Sequence, residues 1–139
     1  AELKRRAKRA GAHNIETRFI EDNKVIKRLH EKADRLLIDA PCSGLGVLKR
    51  NPDSKWKIDQ DFIDRIKQEQ QQILQDYSKM LKKGGKMVYA TCSILPSENN
   101  EQVETFLKNN EGFTLLKEEK VMPSEGFDGF YMALIQRNA

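Results

Sequence analysis

Polar and apolar residues alternate along this chain with two periods, one near two and one between three and four, and the switches between them mark the predicted elements. Residues 1–10 read as helix, and Gly11 stands where a left-handed cap would end it. Ile15, Thr17 and Phe19 alternate with Glu16 and Arg18, which predicts a short strand over 15–20, and 25–29 predicts a brief helix. Arg35-Leu36-Leu37-Ile38 reads as a buried strand running into Asp39-Ala40-Pro41-Cys42-Ser43-Gly44, a turn rich in breakers. After the polar stretch 49–57, Asp59 is a candidate N-cap for a long helix with Phe62, Ile66, Ile73, Tyr77 and Met80 on one face. Lys82, Lys83, Gly84 and Gly85 should end that helix, since cations and glycine suit its C-terminus. Residues 86–90 predict a second buried strand leading into Thr91-Cys92-Ser93. Pro96-Ser97-Glu98 starts another helix, with Val103, Phe106 and Leu107 facing inward and 110–112 ending it. Strands over 113–116 and 130–136 complete the pattern.

Strands alternating with helices predict an α/β domain with a mostly parallel sheet, its last two strands antiparallel. In such sheets ligands sit outside the carboxyl ends of the strands. Cys42 and Cys92 both fall there, each one or two residues past a buried strand and each followed by serine. A single cysteine in an apolar context is ordinarily an inert core residue. Two that share position and neighbours point to chemistry. Cys92 also precedes a predicted helix start, where the positive end of the helix dipole favours a thiolate.

Composition narrows the class. At 139 residues the chain suffices for one domain and not for two of ordinary size. A net charge of +4 permits a polyanionic partner without requiring one. No apolar run approaches a membrane span, and the basic start lacks the apolar stretch of a secretory signal, so cytoplasm is the expected compartment and the cysteines are expected to be free thiols. With two histidines and no Cys-x-x-Cys, no metal site is expected.

Asp39-Ala40-Pro41-Cys42-Ser43-Gly44 and Thr91-Cys92-Ser93 resemble the two cysteine motifs of the RNA 5-methylcytosine methyltransferases of the Sun/RsmB type. Lys49-Arg50-Asn51-Pro52-Asp53 with Lys55-Trp56 resembles the basic segment after the first cysteine. Pro96-Ser97-Glu98-Asn99 resembles the start of the next helix, and Asp128-Gly129-Phe130-Tyr131 the closing strand. The resemblance implies a Rossmann-like, S-adenosylmethionine-dependent domain acting on RNA, ribosomal rather than transfer, as a monomer. It implies Cys92 as the nucleophile toward carbon 6 of cytosine and Cys42 as the thiol that removes the carbon 5 proton. Asp39 would contact the cytosine edge or the cofactor, with Pro41 beside it, and Asp22 would lie near the cofactor adenine. Lys49 and Arg50 would grip phosphate. Without the resemblance, Asp39 and Asp22 read equally as turn or loop aspartates and Lys49 and Arg50 as a solvated pair, while Trp56 could stack on a base, though more commonly such a residue packs on the long helix.

The family's glycine-rich cofactor turn and its ribose-binding acid are not found in these residues. Gly44-Leu45-Gly46 follows the Pro-Cys loop and opens no helix, so it fails the test for a cofactor turn. Residues 1–139 are therefore expected to form the C-terminal part of a catalytic domain that lacks its N-terminal strands. Two other classes stay open: a redox dithiol, which predicts a reversible Cys42–Cys92 disulfide, and an RNA-binding domain whose affinity survives loss of both thiols.

Overall fold

The basic segment forms helix α1 (Glu2–Arg9), which buries none of its residues and is held by its own charges, Arg6 Nε donating to Glu2 Oε1 at 2.8 Å. The computed structural model describes residues 2–56 and 58–139, so Ala1 of the predicted helix and Lys57 of the polar stretch lie outside the described residues. Helix α2 (Lys24–Arg28) follows, burying Ile26. Residues 15–20, predicted as a strand, are not one: Phe19 is 82% exposed, and no strand pairs with them. Alternation supplies two faces, but a strand also needs a neighbour to take its backbone groups, and here none is offered.

Strand β1 (Ala33–Asp39) leads into the Pro-Cys loop. Helix α3 (Gln60–Tyr77) begins where expected, with Asp59 Oδ1 accepting from Phe62 N at 2.8 Å, and it buries Ile63, Ile66, Gln70 and Leu74. It ends earlier than its composition suggests. A 3-10 turn (Ser78–Met80) follows, and strand β2 (Leu81–Thr91) already contains the lysines and glycines that the sequence assigns to the helix end. Gly84, at φ 76°, takes up the extra residues as a bulge: the register against β1 jumps from Ala33↔Leu81 to Arg35↔Lys86. A second 3-10 turn (Pro96–Glu98) precedes helix α4 (Asn100–Asn109), so the helix proper starts later than Ser97. Strands β3 (Phe113–Val121) and β4 (Phe130–Arg137) complete the sheet.

The four strands are ordered β1-β2-β4-β3. β1 and β2 run parallel; β4 runs antiparallel to both β2 and β3. The α/β class and the antiparallel last strands are as expected. β1, β2 and β3 run in one direction and β4 alone is reversed, while the predicted strand over 15–20 contributes no pair among the described residues. One face of the sheet carries Ile38, Met87, Tyr89, Tyr131, Ala133 and Ile135 against Leu74, Val103 and Phe106 of the helices. Phe106 meets Phe113 edge to face at 5.0 Å. The parallel pairing of Asp39 with Ala90 has the decisive consequence: the two cysteine loops leave the same sheet edge side by side.

Candidate active site

Cys42 and Cys92 meet, with their Sγ atoms 3.2 Å apart and both side chains partly buried. Burial first, then the hydrogen bond with Cys92, pushes the Cys42 thiol up to about 12. Cys42 therefore holds its proton at neutral pH, and either sulfur can be the donor across the contact.

The serines that follow the cysteines converge behind them on Glu98. This side chain is fully buried, and its Oε1 accepts from Ser43 N at 2.7 Å and from Gln70 Nε2 at 3.1 Å. Its Oε2 accepts from Ser43 Oγ at 2.6 Å and from Ser93 Oγ. Gln70 also donates to the Pro41 carbonyl at 2.9 Å, so α3 is pinned to the Pro-Cys loop. Tyr89 OH donates to the Glu98 carbonyl at 2.7 Å. Next to this hub, Asn99 joins the second loop to the head of α4: Thr91 Oγ1 donates to Asn99 Oδ1 at 2.5 Å and Asn99 Nδ2 donates to the Ser93 carbonyl at 2.9 Å.

Backbone closes the site from the other side. Gly46 N donates to the Cys92 carbonyl at 2.9 Å, and Gly129 N donates to the Gly46 carbonyl at 2.7 Å. A Cβ on Gly46 would stand 2.2 Å from the Gly129 oxygen and 2.7 Å from that of Cys92. The Gly-x-Gly that fails as a cofactor turn thus has a different task, the close approach of three loops.

Of the other sequence candidates, Asp39 is exposed at the end of β1 and Pro41 is exposed in the loop. Asp22 is not brought to the cysteines. Its Oδ1 accepts from Lys24 N at 2.9 Å, its Oδ2 pairs with Lys24 Nζ at 3.1 Å, and it lines a groove with Ile26, Ile73 and Tyr77. Lys49 and Arg50 reach toward the loop before β4: Lys49 Nζ donates to the Pro123 carbonyl at 3.4 Å, and Arg50 Nη2 pairs with Asp128 Oδ2 at 2.8 Å. Trp56 does not pack on the long helix. It is 80% exposed, with Lys55 Nζ 4.8 Å from its ring centre.

The 16S rRNA methyltransferase RsmB/F model matches residues 1–136. The chain belongs to the RsmB/F methyltransferase family. It is 41% identical over 114 residues to the ribosomal RNA small subunit methyltransferase B of Vibrio cholerae and 44% identical over 117 to that of Yersinia enterocolitica, covering 77% of this chain each time. It spans only 26% and 27% of those RsmB/F-family relatives. Among solved structures, NSun6 from Pyrococcus horikoshii, solved with SFG, superposes with a TM-score of 0.84 at 25% identity, covering 99% of this chain and 38% of that one. A methyltransferase homolog protein from the same organism superposes at 0.80 with 25% identity, covering 99% and 49%. The fold is thus that of S-adenosylmethionine-dependent methyltransferases of the Rossmann-like class.

Sequence reading of this RsmB/F-family chain missed Glu98, Gln70, Gly46 and Gly129. One signal for the hub was in view, the serine repeated after each cysteine. Among the described residues no cluster of metal-ligating side chains occurs, and no helix is long and apolar enough to cross a membrane.

Proposed function

We propose that the full-length protein carrying this chain methylates carbon 5 of a cytosine in small-subunit ribosomal RNA through a covalent cysteine adduct, and that residues 1–139 are the C-terminal part of its catalytic domain. The observation that carries this reading is the pair of thiols 3.2 Å apart at the carboxyl edge of the parallel strands, one of them kept protonated by burial.

Cys92, its thiol proton lost to solvent, bonds through Sγ to carbon 6 of the ring, and the displaced electron pair moves to carbon 5, a poor nucleophile until then. S-adenosylmethionine, when bound, supplies the methyl group that carbon 5 takes up. Cys42, partly open to solvent, gives its own proton to water and then takes the hydrogen of carbon 5 as a proton. The electron pair left behind restores the ring double bond and expels Cys92. Asp39, exposed beside the loop, is free to accept from the cytosine edge.

The donors present suit one side of the cofactor. Asp39 and the exposed ring of Pro41 offer a carboxylate and an apolar contact at the sheet edge, and the groove beside Asp22, walled by Ile26, Ile73 and Tyr77, suits a purine. The Asp22 carboxylate must first give up Lys24. The NSun6 relative was solved with an S-adenosylmethionine analogue, which supports S-adenosylmethionine as the cofactor class.

The test supplies the full-length protein with small-subunit ribosomal RNA and methyl-labelled S-adenosylmethionine, then digests the RNA to nucleosides. Label in 5-methylcytidine is the expected result. Label in any other nucleoside, or in transfer RNA alone, defeats this reading.

Lys49 and Arg50 are proposed to hold phosphate. Because Arg50 already pairs with Asp128, an RNA backbone must compete for it, so the contact is electrostatic and carries no base readout. Lys49→Ala with Arg50→Ala should weaken binding of related and unrelated RNA alike, and should reduce the salt slope by about 1 to 2. Titrations at several salt concentrations decide the matter, and a loss confined to one sequence would mean base reading instead.

A further inference from the structure

We propose that Glu98 is a positioning residue that sets the two thiols against each other, an inference that rests on the two-thiol reading above. The argument is geometric. One carboxylate is bonded to the residue immediately after each cysteine: to Ser43 through both its backbone N–H and its hydroxyl, and to Ser93 through its hydroxyl. Ser43 Oγ and Ser93 Oγ lie 3.2 Å apart, the same separation as the thiols beside them. Besides the backbone bond from Gly46 to the Cys92 carbonyl, the two cysteine loops are joined by side chains at the sulfurs and at the serines, and of these two side-chain junctions the serine one is anchored on a buried carboxylate.

That anchor is tied to every element around it. Gln70 holds Glu98 to α3, Tyr89 holds its carbonyl to β2, and its own N–H is bonded to the Leu95 carbonyl at 3.1 Å. Glu98 has no exposed surface and therefore cannot touch RNA or cofactor. Whatever it contributes passes through Ser43 and Ser93 to the sulfurs. Both thiols must address one cytosine ring, at carbon 6 and carbon 5, so an error in their relative placement harms turnover even where each thiol remains intact. A misplacement of about 1 Å at a reacting centre costs on the order of a hundredfold.

Glu98→Gln keeps the volume but replaces one acceptor oxygen by a donor. Its remaining oxygen serves Ser43 N–H and Gln70, so the link to the two hydroxyls is what changes. Ser93→Ala and Ser43→Ala each cut a single tether and leave Glu98 in place, which covers the case in which Glu98→Gln does not fold.

Two measurements on the full-length protein separate positioning from mere scaffolding. The first is the rate at which an azodicarboxamide oxidant such as diamide closes the Cys42–Cys92 disulfide, the two thiols giving up two protons and two electrons while the diazene becomes a hydrazine. Mass spectrometry of the linked peptides reads it without RNA or cofactor. The second is methyl transfer, read as kcat and KM separately. In folded Glu98→Gln and Ser93→Ala, disulfide closure should slow by about tenfold, and kcat should fall by about ten- to a hundredfold with both KM values unchanged within about twofold. Unchanged closure and unchanged kcat in folded variants would overturn the proposal, as would a loss of activity with unchanged closure. If the wild type transfers no methyl group to cytosine while the variants still slow closure, the proposed function falls and the positioning role stands.

Discussion

Replacing Cys42 by alanine in the full-length protein is expected to leave a protein–RNA adduct that survives denaturation. The expectation follows from the order of steps. In the proposed mechanism Cys92 forms its bond to carbon 6 before anything is asked of Cys42, and methyl transfer follows from that bond. Removal of the carbon 5 hydrogen is the step that needs a second thiol, and without it the ring cannot expel Cys92. Covalent RNA should therefore build up in Cys42→Ala, visible as a shifted band of labelled RNA on a denaturing gel, while turnover falls by about a thousandfold or more. Cys92→Ala should give neither adduct nor product, and the double variant should behave like Cys92→Ala, since a step that never begins cannot be trapped. The burial that pushes Cys42 up to about 12 agrees with this division, because it makes the Cys42 thiolate scarce as a first attacker yet, once formed, a stronger base for the carbon 5 proton. An adduct in Cys92→Ala and none in Cys42→Ala would reverse the roles. Methylation that persists without both thiols would end the covalent reading altogether.

Gly46→Ala should be among the most damaging small substitutions in the chain. The added methyl has no room: two backbone oxygens, those of Gly129 and Cys92, lie within 2.7 Å of its place, and neither can rotate away as a side-chain tip would. Relief requires moving Gly46, which breaks its bonds to Cys92 and Gly129 together. The cost should be about 3 kcal/mol or more, a fall of about 10 °C in the midpoint of the transition that unfolds these residues. Methyl transfer should be lost even below that temperature, because the carbonyl of the nucleophile is one of the groups displaced. Gly112→Ala is the control, since nothing lies within 4 Å of its added methyl. Scanning calorimetry compares the two, and a Gly46→Ala midpoint within a degree or two of wild type would show that the three loops separate without cost.

Much of the site was visible before any coordinates because it depends on local order along the chain. Cys42 and Cys92 each lie one or a few residues past a run of apolar residues that reads as a buried strand, so their arrival at one sheet edge could be read from the α/β pattern. Glu98 could not be read in that way. An acid two residues after a proline looks like an ordinary first-turn residue, and only the meeting of loops distant in sequence buries it. Gln70 was hidden for the same reason, a polar residue on the inner face of an otherwise apolar helix stripe. The pairing of Arg50 with Asp128 was equally out of reach, since charge in a loop says nothing of its partner. The two errors in the sheet have one origin: period and composition describe a segment alone, whereas strands are made by neighbours. Residues 15–20 have the period without the neighbour. Residues 82–85 have helix-ending composition, yet β1 lies alongside and Gly84 can absorb the misfit as a bulge.

The strand order has a consequence for how the site is made during synthesis. β4 follows the other three strands in sequence, yet it occupies an interior position in the sheet, between β2 and β3. The segment just before it carries the Gly129 amide that closes on Gly46. A ribosome therefore releases both cysteines, and the helix between them, well before it supplies the strand that completes their surroundings. Until then one edge of β2 is open and β3 lacks its ladder. A nascent chain halted before Phe130 carries both thiols but no assembled site, and it presents a bare strand edge of the kind that chaperones hold and proteases remove. The closure on Gly46 and the covering of the open edge of β2 arrive together, with residues 129–137.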